Sequence, residues 1–255
     1  MKIIINADDF GANDGINAAV EQAFKKGCLN SASLMVYGSA ALAAADIAKK
    51  NPKLSVGLHA DFDKGFVAMM FQWLFARKKF KAWLEKELRK QIDACAKLGI
   101  KKLSHLDSHR HVHMIPAAFS VFKKVAAAYK IPRVRVVNEN FFRSFWGALS
   151  FSCVWNLAWV KWPVLTVFRW MSGRAAATDV YFYGLVYSGE LFGRATQKIS
   201  VPKRFNTVEI GIHPMAFTDK SGGAHATDAQ FYSSPNRIRE FETVMDKNFL
   251  RRVTH

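Results

Sequence analysis

The chain has 255 residues, half of them hydrophobic, and carries 37 basic against 20 acidic residues for a formal net charge of +17. That size and apolar share suit one large α/β domain, residues 1–255, and the three cysteines, Cys28, Cys95 and Cys153, show neither a disulfide framework nor metal-type spacing, which fits a reduced, cytoplasmic setting. The charge excess attracts anions, whether nucleic acid, lipid headgroups or phosphorylated substrates, without choosing among them.

Residues 3–6 read as a short, buried, β-branched strand, with no sign of a signal peptide before the acidic turn Asp8-Asp9. A helix follows over about 14–26, with Ile16, Ala19, Val20 and Phe24 at helical spacing and Gly27 as its stop. Strands are then expected at 32–36 and 54–58, with a helix at 41–50 between them, and the second of these strands delivers His59 at its end. A charged helix over 81–98 precedes a strand at 102–107 and a helix at 117–129. Strands at 134–137, 180–183 and 208–212 come next, the last delivering His213, and a helix over about 236–247 closes the chain. Alternating strands and helices argue for parallel βαβ units. A distorted, TIM-like (β/α) barrel is the first expectation and an open doubly wound sheet the second.

Four of eight histidines fall in the run from His105 to His113, with Asp107 among them. On a strand, His105, Asp107, His109, His111 and His113 would share a face. They could not share one ion, because each second residue advances roughly 6.6 Å along a strand. Asp8, Asp9, His59, His109 and His213 all fall at predicted strand ends, the rim on which closed barrels build active sites. Two histidines and a carboxylate leave open positions on a divalent ion, as catalytic metals require. A neighbouring carboxylate can then act as general base toward the attacking water. Taken singly, Asp-Asp is an ordinary solvated turn, His59 a structural histidine and the run an incidental loop.

The stretches Asn6-Ala7-Asp8-Asp9-Phe10-Gly11, Ser31-Ala32-Ser33-Leu34-Met35-Val36, Gly57-Leu58-His59, His105 through His113, and Glu209-Ile210-Gly211-Ile212-His213-Pro214 together resemble the YdjC/ChbG family of carbohydrate deacetylases. The resemblance implies a (β/α) barrel that hydrolyses the N-acetyl group of amino sugars with one divalent metal. It implies Asp9, His59 and His109 as ligands, Asp8 as base and His213 as the acid for the departing amine. Arg135 is expected to face the site, and Asp107, His111 and His113 to orient ligands or touch substrate. Imidazole-rich ligation favours Zn²⁺, with Mg²⁺ or Mn²⁺ as alternatives.

Two segments interrupt the alternation. Residues 65–80 are apolar and then basic, and residues 144–160 lack any charge, contain Trp146, Trp155 and Trp159, and are bracketed by Arg143 and Lys161. They read either as lids over the barrel or as interfacial elements, whose mark is aromatic residues flanked by Lys and Arg. The second reading resembles the NaxD and HpnK branches, which act on lipid-linked sugars. It makes the expected partners a lipid-linked N-acetylated amino sugar and an anionic surface, at the cytoplasmic face of the inner membrane. Soluble chito-oligosaccharide deacetylation is the alternative. Phosphoester hydrolysis and nucleic-acid binding rank lower, the latter because no recognition helix or RNA-binding motif appears.

Overall fold

The computed structural model describes residues 1–150, 157–218, 229–232 and 234–255. Six parallel strands form a curled sheet in the order β4-β3-β2-β1-β7-β5: β1 (Lys2–Phe10), β2 (Ser31–Leu34), β3 (Ser55–Ala60), β4 (Leu106–Ser108), β5 (Val180–Tyr183) and β7 (Thr207–Ile212). A separate parallel pair joins β6 (Ile199–Ser200) to β8 (Val253–Thr254). Around the sheet run α1 (Asp14–Lys26), α2 (Ala41–Lys50), α3 (Phe66–Phe75), α4 (Arg77–Lys97), α5 (Pro116–Ala128), α6 (Phe141–Ala148), α7 (Ala158–Ser172), the single turn α8 (Ala229–Tyr232) and α9 (Asn236–Met245). The fold is a distorted (β/α) barrel, as expected.

Three local expectations are corrected. The turn expected over Asp8–Gly11 comes one residue later: β1 continues through both acids to Phe10, with its register against β2 shifting between Ala7 and Phe10 and Asp9 at φ 64°, and Ala12 N then donates to Asp9 O at 3.0 Å. The run after β4 is not a strand either. Residues His109–Met114 coil into a 3₁₀ turn kinked at Arg110 and His111, both at φ 55°, so the alternating-face reading fails. The strand expected at 134–137 shrinks to one bridge, Val134 to Leu106. The amide side chain of Asn138 continues the ring, donating to Val180 O at 3.0 Å and accepting from Phe182 N at 2.8 Å. A side chain thus replaces ladder bonds between the end of this segment and β5.

Apolar residues fill the layer between sheet and helices, with Ile5, Ala7, Ala32, Leu58, Val208 and Ile210 essentially inaccessible. The barrel interior is polar instead. Asn6, Ser33, Asp107, Arg135 and Glu209 are all buried and bonded to one another or to near neighbours. Buried charge is tolerated only when paired, so this interior is an ion-pair network rather than stacked aliphatic layers. Gly57 belongs to it: a Cβ there would stand 2.4 Å from the His105 ring, itself bonded to Ser33 and Ser104.

Candidate active site

The expected residues converge where the strands end. Asp8 and Asp9 come from β1, His59 from β3, His109 from the first residue after β4, and His213 from the first residue after β7. Asp9 Oδ2 accepts from both Nη1 and Nη2 of Arg237, each at 3.0 Å. Its Oδ1 is buried and has no hydrogen-bond partner among the described residues. It faces His59 Nε2 at 3.5 Å and His109 Nδ1 at 3.4 Å. Donors held about 2.0–2.1 Å from a tetrahedral ion sit roughly 3.3–3.4 Å apart, so the three atoms have the spacing of a ligand set. Burial alone would push the Asp9 carboxyl up, but Arg237 and His109 outweigh it and hold the group well below the usual carboxylate range. The Asp9 carboxylate is therefore ionised, as binding a metal ion would require.

Two other groupings have metal-like spacing, Asp8 with His59 and Asp107, and His105 with Asp107 and Glu209. Their carboxylates already have partners. Asp8 makes a two-pronged pair with Arg135, at 2.8 and 2.7 Å, and accepts from Asn6. Asp107 accepts from His59 Nδ1 at 2.7 Å and from Ser33 at 2.8 Å, and lies 2.7 Å from Arg135 Nη2. Glu209 pairs with Arg135 and Arg133. Only the Asp9, His59, His109 set keeps a carboxylate oxygen unengaged, and so it best fits a metal ion. Asp107 then has a clear task, because fixing Nδ1–H of His59 aims its Nε2 at Asp9.

The rest of the run separates. His111 lies beside the site, and burial, His113 and Arg135 hold it well below the ordinary histidine range. His113 is fully buried against Ser108 and Phe122, with burial pushing it down to about 3. It is inaccessible to solvent, and its Nε2 has no hydrogen-bond partner among the described residues. Arg135 lies beneath the site rather than facing it, shared among Asp8, Asp107 and Glu209.

Burial pushes Asp8 upward as well, but Arg135 and His59 prevail and lower it. Across from it, His213 Nε2 lies 3.9 Å from Asp8 Oδ2. Burial lowers His213 to about 4, against the pull of Asp9 and Asp8, so at neutral pH the ring is uncharged. Behind it, Glu240 accepts from the His213 backbone N–H and from Leu191 N, and stands 3.8 Å from His213 Nδ1. Burial raises Glu240 to about 7. Arg237 and Glu240, three residues apart on α9, thus brace Asp9 and His213 together. Neither was expected from the sequence, where α9 reads as one more charged surface helix. Glu209 did leave a signal, a lone acid inside the apolar strand 208–212.

These groups form the polar end of a cavity of about 590 Å³. The rest of its lining is mostly apolar, with Phe66, Val67 and Met70 from α3 and Val164 and Leu165 from α7, and it also includes Lys161 of α7, Arg110, Ser108 and Ser188. Of the two segments that interrupt the sequence pattern, 65–80 lines this cavity through α3, and 144–160 meets it at Val160, with Lys161, Val164 and Leu165 of α7 following just beyond. Trp73 and Phe66 of α3 pack on Phe168 of α7, with ring centres 5.4 and 6.4 Å apart.

The sequence profile of YdjC-like proteins matches residues 2–255. The chain belongs to the YdjC-like family. Curated relatives include the carbohydrate deacetylases of Brevibacillus brevis, 34% identical over 145 residues, and Vibrio parahaemolyticus, 32% identical over 146. Both alignments span 52% of this chain and 58% of the relative, so a little over half of each protein is matched. Across 98% of this chain and 92% of the other, the fold superposes with a TM-score of 0.62 on a provisionally named cellobiose-phosphate cleavage protein from Enterococcus faecalis, at 21% identity.

Proposed function

We propose that this YdjC-like protein is a single-domain, metal-dependent hydrolase that removes the acetyl group from an N-acetylhexosamine carried on a polyprenyl-phosphate or similar lipid, at the cytoplasmic face of the membrane. The observation that carries the chemistry is the bare, buried Oδ1 of Asp9 set between His59 Nε2 and His109 Nδ1, with Asp8 and His213 beside it. Zn²⁺ fits an imidazole-rich set best, with Mg²⁺ or Mn²⁺ as alternatives. Once bound there, it would supply Lewis-acid polarisation of the acetamide carbonyl and acidify water.

The protein's own residues move the protons. Asp8, kept ionised by Arg135 and oriented by Asn6, accepts a proton from the attacking water. The departing nitrogen needs a proton, since an amide anion leaves very poorly. His213 gives it from Nε2, and because the ring is neutral at rest it takes a replacement at Nδ1 from Glu240, whose raised pKa keeps a proton available near neutrality. Proton count balances: Asp8 ends protonated, Glu240 ionised and the amine neutral.

The lipid half of the proposal is supported by the mostly apolar lining that α3 and α7 give the cavity and by what lies outside it. Phe75 of α3 is 81% exposed and Trp170 of α7 80%. Inserting such side chains into an interface is worth roughly 1.5–3 kcal/mol each when burial is complete, and each nearby Lys or Arg adds about 1 kcal/mol at an anionic leaflet. No helix among the described residues is long and apolar enough to cross a membrane, so attachment would be peripheral. Trp155 lies outside the described residues.

Acetate release from a polyprenyl-phosphate-linked N-acetylhexosamine, compared with free chitobiose, tests both halves. Faster release from the lipid-linked sugar is expected. Equal or faster release from chitobiose would make the enzyme a soluble-sugar deacetylase, and phosphate release without acetate would replace the reaction with phosphoester hydrolysis.

A further inference from the structure

A second cleft, of about 400 Å³, opens between α6 and α7, away from the catalytic groups. Three arginines line it: Arg143 of α6, Arg169 of α7, and Arg204 in the segment before β7. Arg143 is steadied by Ser200, to which its Nη1 donates at 2.8 Å, and Arg204 lies over the Phe205 ring at 4.8 Å. The one acid on the lining, Glu139, turns its carboxylate elsewhere. Its Oε2 accepts from the backbone N–H groups of Gly184, Leu185 and Val186, and its Oε1 from Ser144. Asn138 is committed as well, at both ends of its amide, to β5. Among the described residues, no acid pairs with Arg143, Arg169 or Arg204.

Three arginines lining one small space suit an anion, since the donor fork of a guanidinium matches phosphate oxygens two at a time. The surroundings indicate what brings that anion. Residues Trp162, Thr166 and Arg169 line the cleft from one face of α7. On its outward face Trp159, Val167 and Trp170 are exposed, as are Phe142 and Trp146 on α6. An adjoining hollow on the far side of Arg143 is lined by Trp146 and Lys198. Cations set among exposed aromatic and aliphatic side chains are the pattern of elements lying in a lipid headgroup layer.

We propose that the α6–α7 cleft binds a phosphate-class oxyanion, presented as the headgroup of an anionic lipid. The cleft holds the protein on the membrane through a specific headgroup, and α7 joins it to the catalytic cavity, which its other face lines through Val164 and Leu165. The membrane attachment in this inference rests on the function proposed above; the anion site rests on the arginine cluster alone.

Sedimentation of the full chain with phosphatidylcholine vesicles tests it. The vesicles would contain either phosphatidylglycerol or the same charge density of oleate, whose headgroup is a carboxylate. Wild type should bind phosphatidylglycerol vesicles at least tenfold better than oleate vesicles. The variant Arg143→Gln/Arg169→Gln/Arg204→Gln should lose that preference. A control with the same loss of charge on α1, on α2 and just after it, Lys26→Gln/Lys50→Gln/Lys53→Gln, should keep it. Thermal melting checks that each variant is folded, and single substitutions replace the triple should it melt early.

Equal binding to both vesicles, or a preference retained without the three arginines, would overturn the site. Calorimetry with pyrophosphate separates the sources: arginine-dependent binding of soluble pyrophosphate without vesicle binding would leave a phosphate site and refute the lipid. Displacement of vesicles by single-stranded DNA at equal phosphate, lost in the triple variant, would transfer the cleft to nucleic acid. Acetate release from a soluble N-acetylated sugar should be the same in wild type and triple variant, so failure of the cleft and failure of the deacetylase reading give different results.

Discussion

Glu240→Gln probes the proton supply behind His213 without touching the proposed metal ligands. The carboxyl is fully buried, and burial raises it from 4.5 to about 7, against the donors Leu191 N and His213 N and the charge of Arg237; Asp8 is the acid that adds to the rise. Between those two pH values the folded state binds the extra proton, so stability falls as pH rises and the loss is complete above about 7. At about 1.36 kcal/mol per pH unit, a span of about 2.5 units corresponds to an ionisation penalty of roughly 3 kcal/mol at pH 8. Glutamine cannot ionise and escapes it. It does lose an acceptor, leaving one buried N–H unsatisfied at a constant cost of about 1–3 kcal/mol. The variant should therefore be less stable than wild type at pH 5 and equal or better at pH 8. The melting-temperature difference should move by roughly 6–12 °C between the two, at about 2–4 °C per kcal/mol for a chain of this size. Amide hydrolysis should fall by about 10²–10⁴-fold in kcat, the usual scale of acid–base catalysis, with KM little changed. Cleavage of 4-nitrophenyl acetate, whose leaving group needs no proton, should be nearly unaffected. A melting difference independent of pH, or equal loss on amide and aryl ester, would refute the reasoning.

Other substitutions separate the remaining roles. Asp9→Ala, His59→Ala and His109→Ala should each lose bound metal while His113→Ala keeps it, as read by metal analysis after gel filtration; retention in His109→Ala would unseat the ligand set. Asp8→Asn should hold its metal and lose about 10²–10⁴-fold in rate. A metal-free Asp8→Asn would mean that a ligand had been taken for a base. Gly57→Ala should destabilise by about 1–3 kcal/mol, the usual size of core overpacking, because the His105 ring cannot yield without breaking its bonds to Ser33 and Ser104. Chemical denaturation measures this, and an unchanged midpoint would mean that the ring moves freely. Trp159→Ser/Trp170→Ser should reduce flotation with anionic liposomes while the melting temperature holds, since both side chains are exposed.

Strand cores and helices were legible in this sequence because their apolar periods are clean, and the strand-end placement of Asp9, His59, His109 and His213 followed from them. The lapses have physical causes. Asp8-Asp9 looks like a turn because a doubled acid rarely ends a buried strand. Here the bulge after Ala7 and the left-handed Asp9, a conformation Asp tolerates better than most residues, carry both carboxylates onward. The histidine run looks like a strand by composition, but Arg110 and His111 in left-handed conformations break its alternation. Arg237 and Glu240 were hidden by their helix. In a stretch as charged as 236–246, nothing marks the two residues that turn inward to Asp9 and His213.

The apolar insertions raised a choice, lid or anchor, that no periodicity could resolve, because the uncharged run 144–160 offers no charged face to orient it. In the folded chain α7 carries both environments at once. Val164 and Leu165 wall the cavity that holds Asp8 and His213, while Trp159, Val167 and Trp170 on the same fifteen residues point to the exterior. A lid needs only the first set, and leaving the second in water gains nothing for the fold. A substrate with a polar sugar and a long apolar carrier needs both: the sugar end must reach Asp8 while the carrier stays in lipid. Under the proposed function, that is what is required of α7: Val164 and Leu165 toward the active cavity, and exposed Trp159, Val167 and Trp170 toward the proposed headgroup layer, with Arg169 as the cation beside them.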